Sequence, residues 1–301
     1  MQNIVLLLAC LLAGMVLRAW NKVPADGHLA LNAFIIHVAL PALILVQIHA
    51  IRLDPHLFYA IAMPWLLFMG GAAVFWVIGQ WLGLPPTTTG ALMLTAGLGN
   101  TSFIGLPMIE AFYGKDGMAL GILIDQLGTY LVLSTLGITV ACICSRGAAS
   151  LRTVAIRVAT FPPLIALAVA LALMDVPYPP WVQELLGRLG ATLAPLALVS
   201  VGMQLRLDAL RGNRATLAAG LTFKLIAGPA VLALLYIGLL RLPGEQMRIT
   251  LFESAMGPQI GGAIVASQYG LNPQLVTLMV GTGTMLAFAT LPLWWSVLAA
   301  V

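Results

Sequence analysis

Charge is what this 301-residue chain has least of: 8% of its residues are Asp, Glu, Lys or Arg, against about a quarter in a soluble globular domain. With 61% of its residues hydrophobic, it is not a soluble protein. Crossing a bilayer takes about 20 apolar residues, so ten spans would consume roughly 200 positions and leave no room for a sizeable extramembrane domain. Cysteine is scarce as well. Cys10, Cys142 and Cys144 make an odd count, lie in apolar segments and lack metal-ligand spacing, so neither a disulfide framework nor a zinc site is suggested. They read as small buried apolar side chains. No basic stripe interleaved with exposed aromatics is present: the net charge of +4 comes from Lys and Arg scattered over loops, so nucleic acid is not an expected partner. The opening MQNIVLLLACLLAGMVLRAW lacks a basic n-region and leads straight into another apolar segment. It is expected to be a retained first span, not a cleaved signal.

What is there is a succession of apolar runs separated by Pro, Gly and charge. They predict helices over 3–20, 28–49, 56–81, 87–112, 118–144, 154–174, 187–205, 214–240, 247–269 and 274–299. An even number of spans puts both termini on one side, and the Lys/Arg bias of short loops selects that side. With the termini outside, Arg18, Lys22, Arg146, Arg152, Arg157, Arg206, Arg211 and Arg214 are cytoplasmic, whereas Arg52, Lys115, Arg241 and Arg248 are outside, joined by Arg188 at the start of span seven. The expectation is an integral protein of the bacterial inner membrane with both termini extracytoplasmic.

The two halves echo each other. PALILVQIHAIRLD (Pro41 to Asp54) aligns with PLALVSVGMQLRLD (Pro195 to Asp208), sharing the proline and the closing Arg-Leu-Asp at an offset of 154. Tyr113-Gly114 after span four matches Tyr269-Gly270 after span nine at an offset of 156, with Gly105 and Gly261 in the same register. Five spans per half is an odd number, so the second copy enters the membrane from the opposite face, an inverted repeat. The expected organisation is a first five-helix repeat over 1–144, a cytoplasmic linker over 145–153 and a second, inverted repeat over 154–301.

Span four carries Gly97, Gly99, Asn100, Thr101, Ser102, Gly105 and Pro107 in the middle of an apolar helix, and span nine carries Gly257, Pro258, Gln259, Gly261 and Gly262 at the corresponding depth. Proline removes a backbone donor and clashes one turn back, while glycine tolerates the resulting geometry. Both helices are therefore expected to break near the midplane. Broken backbone survives at membrane depth only when buried in protein or lining a wet cavity, so two breaks in repeat-related positions point to one central site. Half-helix N-termini there suit an anion and unwound carbonyls suit a cation.

Asp125, Lys224 and Glu253 fall well inside spans five, eight and nine, and His37 more marginally inside span two. Ionisable groups in a membrane are costly enough to be functional candidates. Asp125 with Thr129 one turn later, Asn100, Glu253 and Gln259 form an all-oxygen set suited to a proton or a hard monovalent cation. Lys224 is the expected positive partner of Asp125 or of Glu253, or a group that sheds a proton when desolvated. A static buried ion pair that orients helices is the alternative. Glu110, near the outer end of its span, reads as solvated, His37 and His49 as structural, and Trp294-Trp295 as an interfacial anchor.

GNTSFIGLPM (Gly99 to Met108), AMGPQIGGAIVASQYGLNP (Ala255 to Pro273) and MLAFATLPLWW (Met285 to Trp295) resemble the auxin efflux carrier family, whose plant members are the PIN proteins. The resemblance implies an all-α membrane protein of ten transmembrane helices in a 5+5 inverted repeat, with broken helices four and nine crossing. It also implies a scaffold of helices 1, 2, 6 and 7 that forms a homodimer, and a transport unit of helices 3–5 and 8–10 that moves as an elevator. Asn100, Thr101 and Ser102 then belong to the first crossover, and Met256, Gly257, Pro258 and Gln259 to the second, as the substrate site. Plant members resemble Pro-Asn-Thr where this chain has Gly99-Asn100-Thr101, and their large hydrophilic central loop is reduced here to residues 145–153. The chain is thus similar to the compact prokaryotic members that carry organic anions. Glu253 and Gln259 together with Asn100 also resemble the sodium-coupled bile acid symporters, which leaves sodium open as the coupling ion.

The combined expectation is a secondary active transporter of a small organic anion, coupled to H+ or Na+ through Asn100, Asp125, Thr129, Lys224, Glu253 and Gln259. Its partners would be the anion, membrane lipid and a second copy of the chain, with no cofactor beyond Na+. A sodium-coupled bile-acid-type symporter and a non-transporting membrane sensor are the alternatives. No Ser/His or Asp/Asp constellation at matched depth suggests an enzyme.

Overall fold

The computed structural model describes residues 2–24, 26–48, 57–145, 152, 156, 159–174, 176–204, 214–242 and 244–300. Most of the 145–153 linker, His49 and both Arg-Leu-Asp triplets lie outside the described residues. All regular structure among the described residues is helical: α1 (Gln2–Ala19), α2 (residues 27–48), α3 (Leu57–Trp81), α4 (Pro86–Ala96), α5 (residues 101–113), α6 (Lys115–Ser145), α7 (Pro162–Ala172), α8 (Pro180–Gly190), α9 (Leu193–Gln204), α10 (Arg214–Leu239), α11 (Glu245–Ser254), α12 (Ile260–Gln268) and α13 (Pro273–Ala299).

Six helical stretches among the described residues are long and apolar enough to cross a membrane: Gly27–Val46, Leu57–Trp81, Lys115–Ser145, Pro180–Met203, Arg214–Leu239 and Pro273–Ala299. Helix is the form such segments must take, because it satisfies every interior N–H and C=O within the segment itself. Proline occupies the first turn of α4, α7, α8 and α13, where its missing N–H costs nothing. Asn272, held at φ 34°, caps α13: its side chain accepts from the Leu275 N–H and donates to Thr88 Oγ1.

Several helices widen locally into π turns, at residues 35–39, 101–105, 124–130, 133–137, 223–227 and 234–239. Indole donors reach carbonyls in two of these wide turns. Trp65 Nε1 donates to the Leu127 carbonyl at 3.2 Å, and Trp294 Nε1 to the Leu225 carbonyl at 2.8 Å. Trp294 is thereby committed to a partner inside the protein, while its neighbour Trp295 stays 39% exposed.

The chain forms two compact units. The first comprises Met1–Asp54, Ser102–Ile122 and Arg157–Leu205, and the second Pro55–Thr101, Leu123–Ile156 and Arg206–Val301. In the first unit α1 lies along α9 at close range, because Gly14 and Gly202 remove the side chains between them. A β-carbon on Gly202 would stand 3.1 Å from Gly14 Cα and collide with the Leu11 carbonyl, and one on Gly14 would collide with the Val199 carbonyl. Buried Ser200 hydrogen-bonds Asn32 of α2 through its hydroxyl.

In the second unit α4 is the central element. It is buried on every side from Thr88 to Ala96 and packs against α3, α6, α10, α12 and α13. A helix that is apolar all round belongs in such a place, which explains the run Gly90-Ala91-Leu92-Met93-Leu94. Gly262 of α12 fits against it closely, since a β-carbon there would lie 2.7 Å from the Leu94 carbonyl oxygen.

Candidate functional site

The site is built where two helices of the second unit stop. Helix α4 ends at Ala96, and residues 97–100 are not helical. Helix α11 ends at Ser254, and its last turn tightens as Ala255 N–H bonds the Phe252 carbonyl and Met256 N–H bonds the Glu253 carbonyl. Gln259, in extended conformation, then opens α12. Each break strips backbone groups of their helical partners, and the two breaks supply one another. The Asn100 N–H donates to the Gly257 carbonyl at 2.8 Å, the Gln259 N–H donates to the Leu98 carbonyl at 3.2 Å, and Gly99 and Pro258 pair as an antiparallel bridge. Each such group would otherwise cost several kcal/mol in hydrocarbon.

Pro258 explains a further contact. It stands four residues after Ser254, where no N–H could continue the helix, and the Ser254 carbonyl, among the last of α11, has no donor within that helix. The ammonium of Lys224, completely buried on a π turn of α10, fills that place at 2.7 Å. A cation at a helix C-terminus also opposes the negative end of the dipole. Gly99 makes the room, since a β-carbon there would sit 3.3 Å from Lys224 Nζ. Ser254 turns its own hydroxyl back to the Leu251 carbonyl at 2.6 Å.

Asp125 is buried on the π turn of α6 and has a donor at each carboxylate oxygen: Thr101 Oγ1 to Oδ1 at 2.5 Å and Gln126 Nε2 to Oδ2 at 2.7 Å. Glu253 is the opposite case. It is fully buried, and among the described residues neither carboxylate oxygen has a hydrogen-bond partner. Thr129 Oγ1, Gln126 Oε1 and Gln259 Oε1 are likewise buried oxygens with none. Asp125 and Lys224 both lie within electrostatic range of Glu253, yet Lys224 makes an ion pair with neither carboxylate, its bond going to a carbonyl instead. Buried polar atoms of native proteins are nearly always satisfied, by protein, water or ion.

The chain matches the membrane transport protein family over residues 1–143 and 146–295. It belongs to that family. It is 28% identical to an uncharacterized transporter of Methanothermobacter thermautotrophicus, over 97% of this chain and 96% of the relative. It is 24% identical to an uncharacterized transporter of Methanocaldococcus jannaschii, over 98% and 97%. Like other members of the family the protein is a multi-pass integral membrane transporter and not an enzyme, in agreement with the resemblance to auxin efflux carriers carried by the two glycine-rich motifs.

In this transporter the residues singled out by sequence fall as follows. Asn100, Thr101, Met256, Gly257, Pro258 and Gln259 are all buried at the paired breaks of the second unit, joined there by Asp125, Lys224 and Glu253. Thr129 is buried one turn beyond Asp125. Ser102, half-buried, is the first residue of the segment assigned to the first unit. His37 is exposed, its Nδ1 2.9 Å from the Ala33 carbonyl. Three contributors escaped the sequence reading: Gln126, which fixes Asp125; the Ser254 carbonyl, which holds Lys224; and Thr284, whose buried hydroxyl has no hydrogen-bond partner and whose backbone lies against Gly257. Gln126 was open to discovery, being a polar neighbour of Asp125 in mid-span.

Proposed function

We propose that this transporter is a secondary active carrier of a small organic anion, working by elevator-type alternating access and coupled to a proton or Na+. The observation that carries the reading is the reciprocal pairing of the two breaks around Gly99 and Pro258, with a buried ammonium and two buried carboxylates beside it. The substrate carboxylate would be received by Asn100, Thr101 and the N-terminal end of α12, with Ser102, Met256, Gly257, Pro258 and Gln259 around it. One positive and two negative groups leave one negative charge uncompensated, which supports one coupling cation. Glu253 is its natural acceptor, because the oxygens of Asp125 are already occupied.

The ten-span 5+5 inverted repeat supplies the mechanical frame. Helices α1, α2, α7, α8 and α9 fall in the first unit, which would be the stationary, dimerising scaffold. Helices α3, α4, the part of α6 from Leu123 and α10–α13 fall in the second, which would carry the bound anion, whereas Ser102–Ile122, expected in the moving part, groups with the first. Both termini would be extracytoplasmic, in a bacterial inner membrane.

A sodium symporter of the bile acid type is the second reading, favoured by the orphaned oxygens of Gln126, Thr129, Glu253 and Gln259, since oxygen donors suit a hard cation. The test is uptake of radiolabelled malonate and other small dicarboxylates into proteoliposomes under an imposed sodium or pH gradient. Asn100→Ala and Gln259→Ala should abolish uptake while the protein stays folded. Wild-type uptake in both variants would overturn the site, and binding without accumulation by the unmutated protein would make it a sensor.

A further inference from the structure

We propose that the first unit contains a second ligand site, for a small zwitterion with an aliphatic body. A cavity of about 200 Å³ lies there among α2, α5, the start of α6, α8 and α9. Its walls are apolar, with Leu43, Val46 and Met118 among them, and its charged members are Glu110 and Lys115. No lining residue belongs to the paired breaks.

Two features make this more than a packing defect. First, half-buried Glu110 and exposed Lys115 place one carboxylate and one ammonium at the rim of the cavity, and neither side chain has a hydrogen bond or ion pair among the described residues. Opposite charges five residues apart that do not pair with each other leave an anionic and a cationic position open against one apolar wall. A ligand with an ammonium and a carboxylate on a short aliphatic body matches all three surfaces through charge-assisted hydrogen bonds and burial. Second, an exposed glycine, Gly187, stands at the rim with room beside it. A β-carbon at Gly187 would meet nothing within 4 Å, whereas one at Gly190, a turn further on, would lie 3.0 Å from Leu43 Cα. Gly190 thus brings α8 close to α2, and Gly187 leaves the gap beside that contact.

Size selects the ligand. Pockets for drug-sized molecules occupy about 300–1,000 Å³, so this cavity suits a molecule on the scale of an aliphatic amino acid, not an acyl chain or a peptide.

The experiment measures binding to the purified full-length transporter of three probes with the same branched body: L-leucine, 4-methylvalerate without the ammonium, and isoamylamine without the carboxylate. Leucine is expected to bind saturably and roughly tenfold or more tightly than either half, one charged contact being worth about that factor. Lys115→Gln should bring leucine down to the affinity of isoamylamine, and Glu110→Gln to that of 4-methylvalerate. Gly187→Trp, built into open space, should abolish leucine binding in a folded protein. Asn100→Ala should leave leucine binding unchanged, which separates this site from the anion site proposed above. The proposal is overturned by equal binding of the three probes, by absence of saturable leucine binding, by leucine binding that survives Gly187→Trp, or by its loss in Asn100→Ala. Leucine binding in phosphatidylglycerol nanodiscs that vanishes in phosphatidylethanolamine would also overturn it, assigning the cavity to a lipid headgroup.

Discussion

Lys224 Nζ and the Ser254 carbonyl oxygen are 2.7 Å apart, and the carbonyl is open to the bond because α11 ends at that residue. A lysine has three donors, and among the described residues only this one acceptor is engaged. The ammonium therefore serves as a substitute backbone donor for α11 while keeping donor capacity next to the paired breaks.

Lys224→Met should keep the aliphatic stem and lose transport. The lost charged hydrogen bond costs about 1.5–3 kcal/mol, offset in part by relief from burying a charge, so the variant is expected to purify as a folded protein. Gly99→Val should reproduce its phenotype, because the added side chain would occupy the space of Nζ. Proteoliposome uptake together with thermal unfolding checks both, and wild-type uptake in Lys224→Met would remove the ammonium from the mechanism.

The two acidic residues should behave differently. In Asp125→Asn the hydroxyl of Thr101 and the amide of Gln126 exchange charge-assisted bonds to a carboxylate for neutral ones, which are roughly half as strong. Thermal stability should fall. Glu253→Gln loses no hydrogen-bond donor and removes a buried charge, so stability should hold or rise. Its transport should become uncoupled: exchange of internal for external substrate continues, and gradient-driven accumulation stops. Accumulation at the wild-type level in Glu253→Gln would show that the carboxylate carries no coupling cation.

The first unit depends on a glycine contact. Gly202→Val places atoms against the Leu11 carbonyl and Gly14, and overpacking of this kind costs about 1–3 kcal/mol or more. The expected result is a sharp loss of monodisperse protein on size-exclusion chromatography, with Gly187→Ala, which faces open space, eluting as wild type. Equal elution of the two variants would mean that α1 and α9 can separate without loss of the fold.

The breaks were legible because their cause is local: Gly97, Gly99, Gly257 and Pro258 act on their own backbone. So was the burial of Asp125, Lys224 and Glu253, since charge set among apolar residues is visible in composition alone. The partner of Lys224 was not. Charge suggested Asp125 or Glu253, but the deciding factor is a carbonyl freed where another helix ends, and that proximity exists only after folding. The start of α8 at Pro180, seven residues before the apolar run suggests, was hidden because Gln183, Glu184 and Arg188 lie on its exposed face, the last two joined in an ion pair. The π turns left no compositional trace, yet they set the register of Thr101, Asp125, Thr129 and Lys224, as such turns often do at functional sites.

The reciprocal bonds between Leu98, Asn100, Gly257 and Gln259 also set a schedule for biogenesis. The earlier strand leaves the ribosome long before the later one, and until residue 259 has entered the bilayer its carbonyl and amide must be sheltered by the insertion machinery or by water. A nascent chain arrested at mid-length is thus a natural target for membrane proteases, and final folding has to wait for the last third of translation.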